Sequence, residues 1–89
     1  MEIKLVKFGE MLVSRPSGRE AYMSAKAYLL KGDISAVEIA FDGVKVLTPS
    51  WLSEFLDLFK TDFPKTKISF CKSKNPSVQA TLKILKLPN

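Results

Sequence analysis

The sequence predicts a single α/β domain over residues 1–89, a four-stranded mixed sheet with three helices in the order ββαβαβα. Short runs of alternating apolar residues are separated by helix-length amphipathic segments, which is the pattern of strands joined by helical crossovers. Two of those segments open on a capping residue followed by proline, at Thr48-Pro49 and Asn75-Pro76, where proline's missing N–H costs nothing. With 46% hydrophobic residues in 89, the chain supports one core of its own.

The elements follow in order. Ile3 and Leu5 alternate with Glu2, Lys4 and Lys7, and Met11-Leu12-Val13 resumes an extended pattern after Gly9, which predicts two strands joined by a turn at Gly9-Glu10. Ser17-Gly18-Arg19-Glu20 has the spacing of a capping box, so a helix is expected from there, with Ala21, Ala25, Tyr28 and Leu29 on its apolar stripe and Gly32 as the left-handed residue beyond it. The nearly continuous apolar run from Ile34 to Phe41 suits a central strand covered on both faces, extended briefly by Val44 and Val46. Thr48-Pro49-Ser50 opens an amphipathic helix with Leu52, Phe55, Leu56 and Phe59 inward, ended by Phe63-Pro64. Residues 66–71 alternate as a fourth strand, and Val78, Leu82 and Leu85 mark the inward face of a closing helix. The opening hairpin would supply an antiparallel edge to otherwise parallel strands.

Composition narrows function. The chain has no histidine, which removes the commonest general base and metal ligand, and its four glycines are isolated rather than gathered into a phosphate loop. The expectation is therefore a protein that is not an enzyme, with no cofactor and no metal. No stretch reads as a membrane span or a signal peptide, and the single Cys71 sits in a strand-like setting, so a soluble protein in the reducing cytoplasm is expected, with an inert thiol.

The candidate functional residues lie at strand ends and helix starts, where open α/β sheets gather their sites. Thr48 and Ser50 are candidate phosphoacceptors, since a phosphate there meets free N–H groups and the positive end of the helix dipole; the competing reading makes Thr48 simply the N-cap and Ser50 a first-turn residue. Trp51, at the margin of the apolar stripe, either roofs the core or presents an aromatic anchor to a partner. Arg15 can meet a carboxylate or phosphate, or be solvated. From Lys60 onward there are seven lysines and one acid, Asp62, so the net charge of +5 comes from this last third. That segment has no arginine and keeps its aromatics at core-like positions, a pattern closer to a solvated face than to a nucleic-acid site.

Residues 37–54, together with the Ser14-Arg15-Pro16-Ser17-Gly18 turn, resemble the STAS superfamily, and more closely its STAS-like branch of unknown function. The resemblance runs nearly end to end and rests on the arginine-glycine turn and on Gly43, Val44, Ser50, Trp51 and Glu54. It implies a non-enzymatic regulatory module similar to anti-sigma factor antagonists, which bind a histidine-kinase-like ATPase, an anti-sigma-type kinase that phosphorylates them. Its implied partner-binding residues are Arg15, Gly18, Trp51 and Glu54. Three positions depart from the family pattern: Pro49 stands where the acceptor serine would be, Thr48 where its aspartate would be, and Ala40 where an aspartate is common at the end of the central strand, so Ser50 or Thr48 must take the phosphate. The alternative reading is a basic accessory protein of nucleic acid using the lysines at 65, 67, 72, 74, 83 and 86. An edge strand also leaves a homodimer open.

Overall fold

Two tracks of chain, 2–12 and 36–47, run side by side and organise the molecule, whose computed structural model describes residues 1–88. Strand β1 (Glu2–Lys4) pairs in parallel with β3 (Ala36–Ala40), Ile3 opposite Ile39. Further along, β2 (Met11–Leu12) pairs in parallel with β4 (Val46–Leu47). Strand β5 (Lys67–Phe70) lies in parallel on the other side of β3. The helices are α1 (Arg15–Tyr28), α2 (Pro49–Asp62) and α3 (Pro76–Ile84).

The α/β class and the three helices among the described residues agree with the sequence reading, but the four-stranded mixed sheet and the order ββαβαβα do not. The strands form a three-stranded sheet in the order β1-β3-β5 and a two-stranded sheet β2-β4, and all their pairings are parallel. The order along the chain is ββαββαβα. The expected hairpin is replaced by a 3-10 turn, Leu5–Phe8, closed when the Gly9 N–H donates to the Val6 carbonyl at 3.0 Å. Val46, read as a brief extension of the central strand, belongs to a separate strand beyond a turn at Gly43, whose φ is +87°. A Cβ on Gly43 would lie 2.9 Å from Val6 Cγ2, so the turns of the two tracks press on each other and a side chain fits neither the conformation nor the space.

Coverage of the sheet also differs from expectation. Along β3, Val37 and Ile39 are buried while Ala36 and Glu38 are exposed, and Glu2, Lys4, Lys67 and Ser69 are exposed on the neighbouring strands. The central strand thus has one face packed over the first part of its length and one face open, the alternation of a half-buried sheet.

Each helix starts on a cap. The first starts a turn before the predicted box: Ser14 is the cap, its Oγ accepting from the Ser17 N–H at 3.1 Å, and Pro16 sits within the first turn instead of breaking the chain. Thr48 Oγ1 accepts from the Trp51 N–H at 3.4 Å, and Asn75 Oδ1 accepts from Ser77 at 2.8 Å and Val78 at 3.4 Å. The core gathers Leu5, Leu12, Tyr22, Ile39, Leu52, Phe55, Phe59 and Leu82 between the sheets and the inward stripes of the helices.

Candidate functional site

Helices α1 and α2 start at the same end of the molecule because their entry strands are tied together. The Leu12 carbonyl at the end of β2 accepts from both the Thr48 N–H at 3.0 Å and the Thr48 hydroxyl at 3.1 Å. A short step further, Gly18 lies against the backbone of Trp51: a Cβ at position 18 would meet the Trp51 carbonyl oxygen head-on and lie 3.1 Å from its carbon and 3.2 Å from its Cα. Glycine is what lets these two helices approach so closely.

Trp51 is 0% exposed. Its indole stacks on Phe55 with ring centroids 5.3 Å apart and planes 8° apart, and its Nε1–H donates to Ser17 Oγ at 3.3 Å. Of its two sequence readings, the structure selects the roof of the core. The anchor reading is corrected, since a buried ring with its one donor engaged has nothing to offer a partner. Gly18 is likewise buried in the seam and presents no surface.

Arg15 and Glu54 face each other across the two helices. Arg15 Nη1 donates to Glu54 Oε1 at 2.9 Å and Arg19 Nη1 to Oε2 at 3.4 Å. The Glu54 side chain is 16% exposed and those of Arg15 and Arg19 are 54% and 63% exposed, so Glu54 is shielded while the arginines stay largely in solvent. Such exposed pairs add little stability. They hold two cations in place at the rim.

The two candidate phosphoacceptors separate cleanly. Thr48 is half-buried, and its hydroxyl donates to Leu12 while accepting from Trp51, so a phosphate there would break the cap and the strand-helix tie together. Ser50 is exposed and its hydroxyl makes no hydrogen bond to the described residues. It stands four residues before Glu54, on the same face of α2.

Sequence reasoning missed Met11 and Val13. Both are large apolar side chains left outside, at 57% and 49% exposure, and they alternate with the buried Leu12. The signal was present in that alternation, but reading the run as a hairpin arm concealed it. They lie on the segment that runs into α1, so the end of the molecule where α1 and α2 start carries Met11, Val13, Arg15, Arg19 and Ser50 as an exposed rim.

Other groups lie apart from this rim. On the open sheet face, one ligand atom each of Glu2, Glu38 and Cys71 lie within 4.8 Å of one another, the one group of metal-ligand type among the described residues. Burial, followed by the nearby carboxylates of Glu38, Glu2 and Asp42, pushes the Cys71 thiol up, away from the thiolate that binds metals. At the far end of the helices the Tyr22 hydroxyl donates to Asp62 at 2.6 Å and Lys26 Nζ to the same oxygen at 3.0 Å. An open hollow of about 660 Å³ lies there, lined by residues 32–35 and 62–66. No helix among the described residues is long and apolar enough to cross a membrane.

Comparison of the chain with family models, curated proteins and solved structures finds no match.

Proposed function

We infer that the chain is a non-enzymatic regulatory module of the cytoplasm that binds another protein through the rim of Met11, Val13, Arg15, Arg19 and Ser50. The observation that carries this reading is the exposure of Met11 and Val13 on the segment that leads into α1, the helix whose Arg15 and Arg19 are held by Glu54 with their side chains more than half exposed. Apolar contact area next to arginine is the composition of protein-binding surfaces, and it fits a partner face that is apolar with acidic neighbours. The partner class, a histidine-kinase-like ATPase, rests on the STAS-like resemblance alone.

Phosphate on Ser50 regulates the contact in this reading. A phosphoserine carries about −1.5 to −2 charge and would sit four residues from Glu54, on the helix face that already draws in Arg15 and Arg19. It competes with Glu54 and with the partner's acids for the same guanidiniums. The helix N-terminus favours the added charge, so the cost falls on binding and not on the fold.

Affinity purification of the tagged chain and of its Val13→Asp and Arg15→Glu variants, followed by mass spectrometry of the partners and of the residue 46–60 peptide, tests the reading. The expected result is an ATP-binding protein recovered by the wild type and lost by both variants, with phosphate found on Ser50. Equal recovery by all three overturns the rim, and recovery of nuclease-sensitive nucleic-acid complexes in place of a protein overturns the module reading.

A further inference from the structure

The outer edges of β4 and β5 are finished in opposite ways. Along β4 the edge is closed by side chains around α3: the Leu47 N–H donates to Ser77 Oγ at 2.9 Å, and the Leu47 carbonyl accepts from Ser77 Oγ at 3.1 Å and Thr81 Oγ1 at 2.6 Å. Asn75 Nδ2 donates to the Val44 and Lys45 carbonyls at 2.9 and 3.1 Å. Among the described residues no such closure exists along β5.

The register shows which groups stay open. Lys67 N–H donates to the Ser35 carbonyl and Cys71 N–H to the Ile39 carbonyl, both at 2.9 Å, so the backbone of 67, 69 and 71 faces β3. Backbone groups alternate sides along a strand, so the N–H and C=O of Ile68 and Phe70 face away, and no described residue bonds to them. The side chains of these two residues are only half-buried, with Phe70 stacked on Phe41 at a centroid distance of 6.3 Å. From Phe63 to Pro88 the chain has six lysines and no acid, and Lys65, Lys67, Lys72 and Lys74 flank this edge with exposed side chains.

We propose that the free edge of β5 receives an extended, acidic segment of another protein as an added strand. Its main chain pairs with Ile68 and Phe70, its apolar side chains cover theirs, and its carboxylates meet the flanking lysines. Lysine on an edge is a device against self-pairing. Joining β5 to β5 of a second copy would bring the exposed lysines of the two edges together, so the same charges that disfavour a second copy select an acidic strand. This edge is separate from the rim of Met11 and Val13, and neither assignment depends on the other.

The test uses the full ¹⁵N-labelled chain and two synthetic peptides, one alternating glutamate with valine and one alternating lysine with valine. The acidic peptide is expected to shift the Ile68 and Phe70 amides and slow their hydrogen exchange, while the basic peptide does neither. Lys67→Glu with Lys72→Glu should weaken acidic-peptide binding about tenfold. Lys31→Glu, in the loop after α1, should leave it unchanged. The proposal is overturned if the two amides do not respond, if both peptides act alike, if both lysine variants behave as the wild type, or if the amides are already slow to exchange in a concentration-dependent manner without peptide. A single-stranded oligonucleotide that binds the same lysines with steep salt dependence, while the acidic peptide leaves the amides unmoved, would assign the edge to nucleic acid instead.

Discussion

Helix α1 meets α2 along a tight seam with backbone almost touching backbone at Gly18 and Trp51, whereas α3 is fastened to β4 through the hydroxyls of Ser77 and Thr81. Both attachments bury apolar side chains, among them Trp51 and Phe55 in the first and Val78 and Leu82 in the second. They differ in what sets their geometry. Steric exclusion sets the seam, so a single added methyl disturbs it; hydrogen bonds that could also be made to water set the edge, so each can be removed at modest cost. A helix that roofs a sheet and a helix that finishes a strand edge are different devices, even when both begin on a cap and a proline.

The largest expected effect is at the seam. Trp51→Ala removes an indole that is 0% exposed and stacked on Phe55, and should cost about 3–5 kcal/mol in urea unfolding. Gly18→Ala should cost about 1–3 kcal/mol, because its Cβ meets the Trp51 backbone, which cannot swing aside as a flexible side chain would. Its sign is diagnostic, since the same change in an unobstructed helix interior would stabilise by about 0.5–1 kcal/mol. A stabilised Gly18→Ala protein would show that the helices do not approach as closely as described.

The edge should respond less. Ser77→Ala combined with Thr81→Val leaves the Leu47 N–H and carbonyl without their side-chain partners and should cost about 2 kcal/mol in all. The Leu47 amide should then exchange faster than its neighbours, which separates opening of the edge from general loosening.

The seam also has a pH-sensitive end. The Tyr22 hydroxyl, and after it Lys26, hold the Asp62 carboxyl below its usual value. A carboxylate with a depressed folded-state pKa contributes stability above its unfolded value of about 3.9, and that stability is lost as pH falls through the folded value. The stability gap between the wild type and Tyr22→Phe should therefore hold steady above about pH 5 and narrow as pH falls below it and on through the folded-state value. A gap of constant size throughout would remove Asp62 from the account. The smallest effect is expected for Ser50→Glu, within about 0.5 kcal/mol of the wild type by thermal unfolding, because its side chain is exposed and a helix N-terminus tolerates added negative charge.

Much of the local structure was legible in the sequence because its causes are local. Thr48-Pro49 and Asn75-Pro76 mark helix starts through groups within three residues of one another, and the structure has both caps in place. The capping box at Ser17 places the first helix one turn late because Ser14 and Ser17 are both competent caps and Pro16 is compatible with a first turn. At the candidate site, Ser50 was legible as an exposed first-turn residue. Trp51 was not, because its position at the edge of the apolar stripe is the same whether or not another helix covers it.

The sequence by itself determined the class, the three helices and the cationic, acid-free C-terminal segment, since periodicity, caps and charge act over a few residues. Only the tertiary structure decided that the first two strands do not pair with each other, that one sheet face stays open and that the edges of β4 and β5 differ. Those outcomes depend on partners far along the chain: Gly43 against Val6, Gly18 against Trp51, Thr81 against Leu47. Apolar alternation specifies which side chains turn inward but not which strand lies alongside, so direction and neighbour are settled by how the packed elements fit together.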